Sequence, residues 1–338
     1  MNAFKFLIAI LSFLVLFSGC STKRQYFEPT QVAGRIHYDG TLPASIIDSG
    51  RDGATLENGQ IITKNGLLDV KIPIGFTFLG TNDERYIAVS RDSNLIIVDK
   101  NSKKVYEKKF DSIVASASLK DNMLAVVLGN NTSMLVDIQK DVKLFEKKGD
   151  TVYAHDSKIA APYFLTELLI YPTLDGKLLI LDLATHKVIR DVVVKSEKYF
   201  SNIIYLNVLG DRLVAATKKR VVSINPKTMT FLDDEIKDVV ILKNRVLILT
   251  KDGRVLLTDA DLKVLKEKKY QFASFAGTIH GKFAYIVERG GYLIAVDLDL
   301  ISSNVYKLPD EIDSFIYTTD DKLFYKDRYF KFTRPNKK

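Results

Sequence analysis

Tryptophan is absent from the 338 residues, and cysteine occurs once. The first absence removes the defining residue of WD-type repeats and of sialidase-type Asp boxes, and the glycine pairs of kelch repeats are missing too. The second excludes an internal disulfide, because Cys20 has no partner to pair with. Histidine is nearly as scarce. His37, His155, His186 and His280 stand far apart, without Cys or spaced carboxylate companions, so no metal site is legible. His155 and His280 read as residues near turns after inner strands, where a side chain can face a central channel. No Gly-rich phosphate loop, EF-hand loop or nucleophile elbow occurs. The reading is therefore of a non-enzyme with no catalytic residue, no cofactor and no metal.

Charge is plentiful. Lys and Arg number 49 against 41 Asp and Glu, a formal net charge of +8. Such an excess invites phosphate binding through counterion release. The basic residues are dispersed, however, in Lys103-Lys104, Lys108-Lys109, Lys147-Lys148, Lys218-Lys219-Arg220 and Lys266 to Lys269, interleaved with acidic ones. They read as solvated strand edges, where charge also blocks edge-to-edge aggregation, and no nucleic-acid partner is expected.

What the chain does have is a repeat. Six short apolar runs end in Asp99, Asp137, Asp182, Asn225, Asp259 and Asp297, at intervals of 38, 45, 43, 34 and 38 residues. Each is followed by a turn and a more polar run. The clearest copy is Gly176 to Ile189, GKLLILDLATHKVI. Self-similarity at this period, built of strands, is the signature of a β-propeller with one four-stranded antiparallel blade per repeat. The recurring Asp and Asn residues read as caps of hairpin turns, bonding backbone N–H groups through their side chains. In the second unit the turn chemistry divides the chain into strands at Phe76 to Gly80, Arg85 to Ser90, Asn94 to Asp99 and Lys104 to Lys108. Asp175-Gly176 and Asp252-Gly253 mark turns between second and third strands.

Counting third strands adds a weak first unit near Gly59 to Lys64 and a last near Arg328 to Phe332. The fold class is thus all-β, an eight-bladed propeller, or seven-bladed if the first or last unit is not a full blade. The last unit runs out of chain before a fourth strand, and Val32 to Tyr38 is expected to supply it, closing the ring with strands from both termini. Ala161 to Glu167 lengthens one repeat. It reads either as an aromatic-bearing contact surface or as a strand preceded by a proline at its edge.

The chain opens with Lys5, an apolar stretch from Phe6 to Phe17, and small residues before Cys20. This is the pattern of a secretion signal, too short for a stable membrane span. Leu16-Phe17-Ser18-Gly19-Cys20 resembles the lipobox of bacterial lipoproteins, which implies cleavage before Cys20 and its acylation. Two or more acyl chains anchor stably where one binds marginally. The organisation expected is a signal peptide over residues 1–19, lipidated Cys20 and a tether to residue 31, a propeller over 32–332, and a basic tail over 333–338. Ser21, where aspartate would signal inner-membrane retention, implies by the same resemblance an outer-membrane location, facing the periplasm.

The run Gly-x-Leu-x-x-Leu-Asp-x-x-Thr-x-Lys-Val from Gly176 to Val188 resembles the PQQ-type propeller repeat. His186 stands in its glycine position, and Val192 to Val194 replace its docking tryptophan. A lipobox followed by such repeats is similar to the BamB lipoprotein family of the outer-membrane β-barrel assembly machinery. That resemblance implies a non-enzymatic scaffold whose partners are the assembly complex and unfolded barrel precursors, bound through loops at one face. No partner-binding residue carries over. Two alternatives stand beside it: a surface lipoprotein that binds a host ligand or polysaccharide, which needs an exposed aromatic platform, and a propeller enzyme, which needs clustered His, Arg or carboxylates at the channel mouth.

Overall fold

The repeats become blades because each supplies aliphatic and β-branched runs of strand length, separated by Asn, Asp, Ser and Gly turns. A computed structural model of the protein describes residues 25–281 and 283–332. Cys20, residues 1–19 read as a signal peptide, the start of the expected tether and the tail 333–338 lie outside the described residues. Within them the strands form eight antiparallel sheets arranged in a ring, an eight-bladed β-propeller, which settles the choice between seven and eight. The first seven blades span residues 46–71, 76–109, 114–148, 163–193, 205–233, 236–269 and 275–307. Residues 316–331 form the eighth with help from near the N-terminus. In each blade the first strand in sequence lies innermost, against its neighbours around the axis.

The two middle strands of a blade are apolar throughout because both their faces are buried. Along Arg85–Ser90, Ile87 and Val89 pack toward the third blade, while Tyr86 and Ala88 pack toward the first. Eight hydrophobic clusters result, one for each junction between neighbouring blades. The cluster joining the eighth blade to the first, with Tyr317 and Phe324 against Leu56 and Ile62, completes the circle. The outermost strands are polar, as in the alternating exposure of Lys104–Lys109.

The six strand-end residues are turn caps. Oδ1 of Asp99 accepts from the N–H groups of Asn101 and Lys103, both at 2.9 Å. Asp137, Asp182, Asn225, Asp259 and Asp297 each accept at least two hydrogen bonds from the residues that follow them. His186 adopts φ +54°, a left-handed conformation that glycine reaches at least cost. Gly176 and Gly253 are required on two grounds. Both have positive φ, +84° and +86°, and a Cβ there would lie 2.0 Å from the Lys195 carbonyl oxygen and 2.3 Å from that of Tyr270.

Ring closure departs from expectation. The fourth strand of the last blade is Gly40–Thr41, antiparallel to Arg328–Lys331, and not Val32 to Tyr38. From that earlier segment, Gly34–Arg35 adds a fifth strand to the seventh blade, parallel to Ser303–Lys307. The chain therefore secures two neighbouring blades in succession. Asp39 N donates to the Tyr329 carbonyl at 3.0 Å and Leu42 N to that of Asp327 at 2.6 Å. Ahead of this seam, within the segment read as a tether, Phe27 is buried edge-on against Tyr270 and Tyr292, with ring centroids 6.2 and 5.5 Å away.

Candidate functional site

Connections from an outermost strand to the next blade's innermost strand emerge on one face of the ring, together with the turns between second and third strands. The remaining turns emerge on the other. Exposed large apolar side chains sit differently on the two. Ile74, Ile113, Tyr153, Tyr199, Phe200, Phe272 and Phe315 all lie on blade-to-blade connections, whereas toward the opposite face the exposed ones among the described residues include Ile301 on a turn and Val105, Val142, Met229 and Val264 at the starts of outermost strands. Ile74 is 74% and Tyr153 69% exposed. Single exposed hydrophobics need no explanation, but their repetition in connection after connection on one face marks that face for contact.

The two longest connections on that face, residues 149–162 and 194–204, are bound to each other. Phe200 N donates to the Ala154 carbonyl at 2.9 Å, Asp156 N to Asn202 Oδ1 at 2.7 Å, and Asn202 Nδ2 to the Lys158 carbonyl at 2.8 Å. Asp156 also pairs with Lys218. This framework holds Tyr153 and Tyr199 with ring centroids 6.1 Å apart. Lys198 Nζ lies 5.3 Å from the Tyr199 centroid and Lys218 Nζ 5.5 Å from that of Phe200. The result is an aromatic platform with cations at its edges, held at low entropic cost because aromatic rings have few rotamers to lose. Such groups dominate binding energy at protein interfaces.

Beside the platform, the channel is barred. The first blade's inner hairpin carries Arg51, whose Nη2 donates to the Ile204 carbonyl at 2.9 Å and to Asp238 Oδ1 at 3.0 Å. In a ring of eight, the first and fifth blades face each other across the axis, so Arg51 reaches over the channel. Lys158 meets the other oxygen, Oδ2, at 2.8 Å. Burial alone would raise the Asp238 carboxyl; Lys158 and Arg51 beside it hold it well below the usual carboxylate range. The Arg51 guanidinium also lies 4.8 Å from the Tyr205 ring centroid. Burial pushes the Tyr205 phenol up to about 12 despite the nearby Arg51. Lys237, half-buried next to Asp238, has no ion-pair partner among the described residues; burial, with Lys158 and Arg289 nearby, pushes its ammonium down.

The histidines are not brought together. His37 is exposed near the seam, and His186 occupies a turn of the fourth blade. His155 lies in the connection leading into the fourth blade, before its inner strand and not after one. His280 ends the inner strand of the seventh blade. The capping aspartates are spent on backbone N–H groups. Tyr163–Phe164 is the short inner strand of the fourth blade, entered from Pro162, whose carbonyl accepts from Ser118 Oγ at 2.5 Å. The proline-edged strand is thus the correct reading of this stretch, and the exposed aromatic residue lies just upstream, at Tyr153. A large apolar residue amid loop formers, as in Pro73-Ile74-Gly75, Asp111-Ser112-Ile113 and Asp313-Ser314-Phe315, was the available signal for that surface.

No family model matches the chain. Two curated proteins do: the plasminogen-binding protein PgbB of Helicobacter pylori strains J99 and 26695. Each is 30% identical, over 96% of this chain and 70% of its own length. Among solved structures, BamB from Moraxella catarrhalis superposes with a TM-score of 0.68 at 14% identity, covering 88% of this chain and 99% of its own. The C-terminal WD40 domain of Sif2 gives 0.67 at 10% identity, covering 90% and 100%. Identities this low speak for the fold alone, shared with a WD40 ring although this chain has no tryptophan.

Proposed function

Because the chain belongs to the family of the plasminogen-binding protein PgbB, we propose that it is a non-enzymatic, lipid-anchored binding propeller. It takes plasminogen, or a protein like it, on the face that carries Tyr153, Tyr199 and Phe200. The observation that carries this reading is the aromatic cluster of Tyr153, Tyr199 and Phe200 on the two longest blade-to-blade connections, which are hydrogen-bonded to each other and edged by Lys198 and Lys218. Aromatic anchors edged by cations, on loops fixed to a rigid ring, are what a protein-binding surface requires. The barred channel beside them offers such a ligand a floor and not a passage.

In this reading Cys20 is acylated after removal of residues 1–19, and the domain stands at the outer membrane. Phe27, docked on the ring, lies seven residues beyond Cys20, a reach of at most about 25 Å. The bound ring is thus held close to the bilayer.

Purified protein passed over immobilised plasminogen tests the reading. The chain should bind, and the triple change Tyr153→Ser, Tyr199→Ser, Phe200→Ser should weaken binding at least tenfold, about 1.4 kcal/mol. Failure of the unaltered chain to bind, or equal binding by both, overturns it. A second reading, a scaffold for β-barrel assembly, draws on the fold shared with Moraxella BamB. Crosslinking in native membranes separates the two, because only the scaffold brings down the barrel-assembly protein. Protease added to whole cells separates them again, since a surface binder is cut and a periplasmic scaffold is not.

A further inference from the structure

Asn-Gly, the dipeptide in which an asparagine side chain is most open to attack by the following backbone nitrogen, occurs twice in the chain, at Asn58-Gly59 and Asn65-Gly66. Glycine permits that attack because it has no Cβ to crowd the asparagine and the freest backbone. Both pairs lie in the first blade, and the fold treats them differently. Asn58 is held at both ends of its amide: Oδ1 accepts the Gln60 N–H at 3.0 Å, and Nδ2 donates to Gln60 Oε1 at 2.7 Å. Gly59 is clamped as well, its N–H on the Leu56 carbonyl and its carbonyl on the Ile72 N–H, both at 2.9 Å. Asn65 stands exposed in the turn between the third and fourth strands. Among the described residues only its backbone N–H is engaged, on Thr63 Oγ1 at 3.2 Å. Gly66 has open space around it, with nothing within 4 Å of where a Cβ would stand, and it pairs with Thr63 at the turn end of the ladder, where local opening costs least.

We propose that Asn65 is a site of spontaneous deamidation in the folded protein and that Asn58 is protected from it. The Gly66 nitrogen gives up its proton and bonds to Asn65 Cγ; the Cγ–Nδ2 bond breaks and ammonia leaves, which closes a succinimide ring. Water then opens the ring at either carbonyl, to aspartate or to isoaspartate, so neither an oxidant nor an enzyme is needed. At Asn58 the same attack has first to break the bonds to Gln60 and the bond from Gly59 to Leu56. Either product puts a carboxylate next to Lys64, which already pairs with Asp52 at 3.6 Å. Isoaspartate also adds a methylene to the backbone of the turn. This turn belongs to the face opposite the aromatic platform, so the change marks aged copies of the chain without touching the platform.

The test incubates the full folded chain in heavy-oxygen water at mildly alkaline pH and follows the two sites by mass spectrometry. Trypsin cuts after Arg51, Lys64 and Lys71, which puts the two asparagines in separate peptides, 52–64 and 65–71. The heavy oxygen marks deamidation that preceded digestion. Asn65 should react at least about tenfold faster than Asn58, with a more acidic species growing on ion exchange. Asn65→Gln, whose longer side chain closes the ring poorly, should remove that species. In denaturant the two rates should draw together, because there only the dipeptide matters. Comparable rates in the folded chain, reaction at neither site, or a preference for Asn65 that persists undiminished in denaturant each overturns the proposal.

Discussion

Arg51 of the first blade and Asp238 of the sixth, 187 residues apart in sequence, meet at 3.0 Å across the axis of the ring. With Lys158 on the other carboxylate oxygen, Asp238 joins three parts of the circle at one point. Removing the shared carboxylate leaves two cations facing each other with nothing between them.

Asp238→Asn should therefore destabilise the ring by about 2–3 kcal/mol. Breaking a buried pair from one side costs roughly 3–5 kcal/mol, and the figure is discounted here because Arg51 and Lys158 stay partly in water. Denaturant unfolding of the two chains measures the difference. A midpoint unchanged by the substitution would show that the triad is not structural.

The same carboxylate sets a pH dependence. Its folded pKa is depressed, so its contribution is fully present above the unfolded value of about 3.9 and is lost as pH falls below it toward the folded value. Asp48 acts in the opposite sense: burial raises its pKa, so its ionised form is disfavoured and acid relieves that cost. Between pH 5 and pH 3 the unaltered chain should lose more stability than Asp238→Asn, because both retain Asp48. Parallel pH profiles would contradict this assignment.

Gly176→Ala should destabilise by about 2–4 kcal/mol, from a left-handed backbone and an unavoidable contact with the Lys195 carbonyl oxygen. Gly210→Ala is the informative comparison. Gly210 also has positive φ, +61°, but nothing lies within 4 Å of the added Cβ, so only the backbone cost of about 1–2 kcal/mol applies. Thermal melts of the two variants read the difference.

Deleting residues 25–42 should expose the outer edges of both seam blades and shift the chain from a single species to higher oligomers, as open edges recruit partners. Size-exclusion chromatography with light scattering decides it. A truncated chain that stays monomeric with an unchanged melting temperature would mean that the seam strands are dispensable.

The repeat was legible because its determinants are local. A cap and its donors lie within five residues of each other, so Asp99 or Asp297 declares its turn in the sequence, and the four strands of the second blade were placed to within two residues. The seam was not legible in detail. Gly40–Thr41 is two residues long and has no apolar alternation, so Val32 to Tyr38, which has more, drew the assignment. The Arg51–Asp238 contact has no local signature at all, since only closure of the ring brings its partners together. The platform residues were hidden for another reason. An apolar residue in a connection reads as part of an adjoining strand until the structure shows that nothing covers it.

The paired seam strands also determine how the molecule bears mechanical load. If the chain is anchored through its N-terminus as proposed, tension from a bound ligand passes first through Phe27 and then through Gly34–Arg35. That short strand lies alongside the edge of the seventh blade, so its hydrogen bonds share the pull and must fail together. Gly40–Thr41, behind it, is engaged only after the first strand has given way. Release of Gly34–Arg35 would thus free slack chain while Gly40–Thr41 still completes the eighth blade, a fuse between the proposed anchor and the blades.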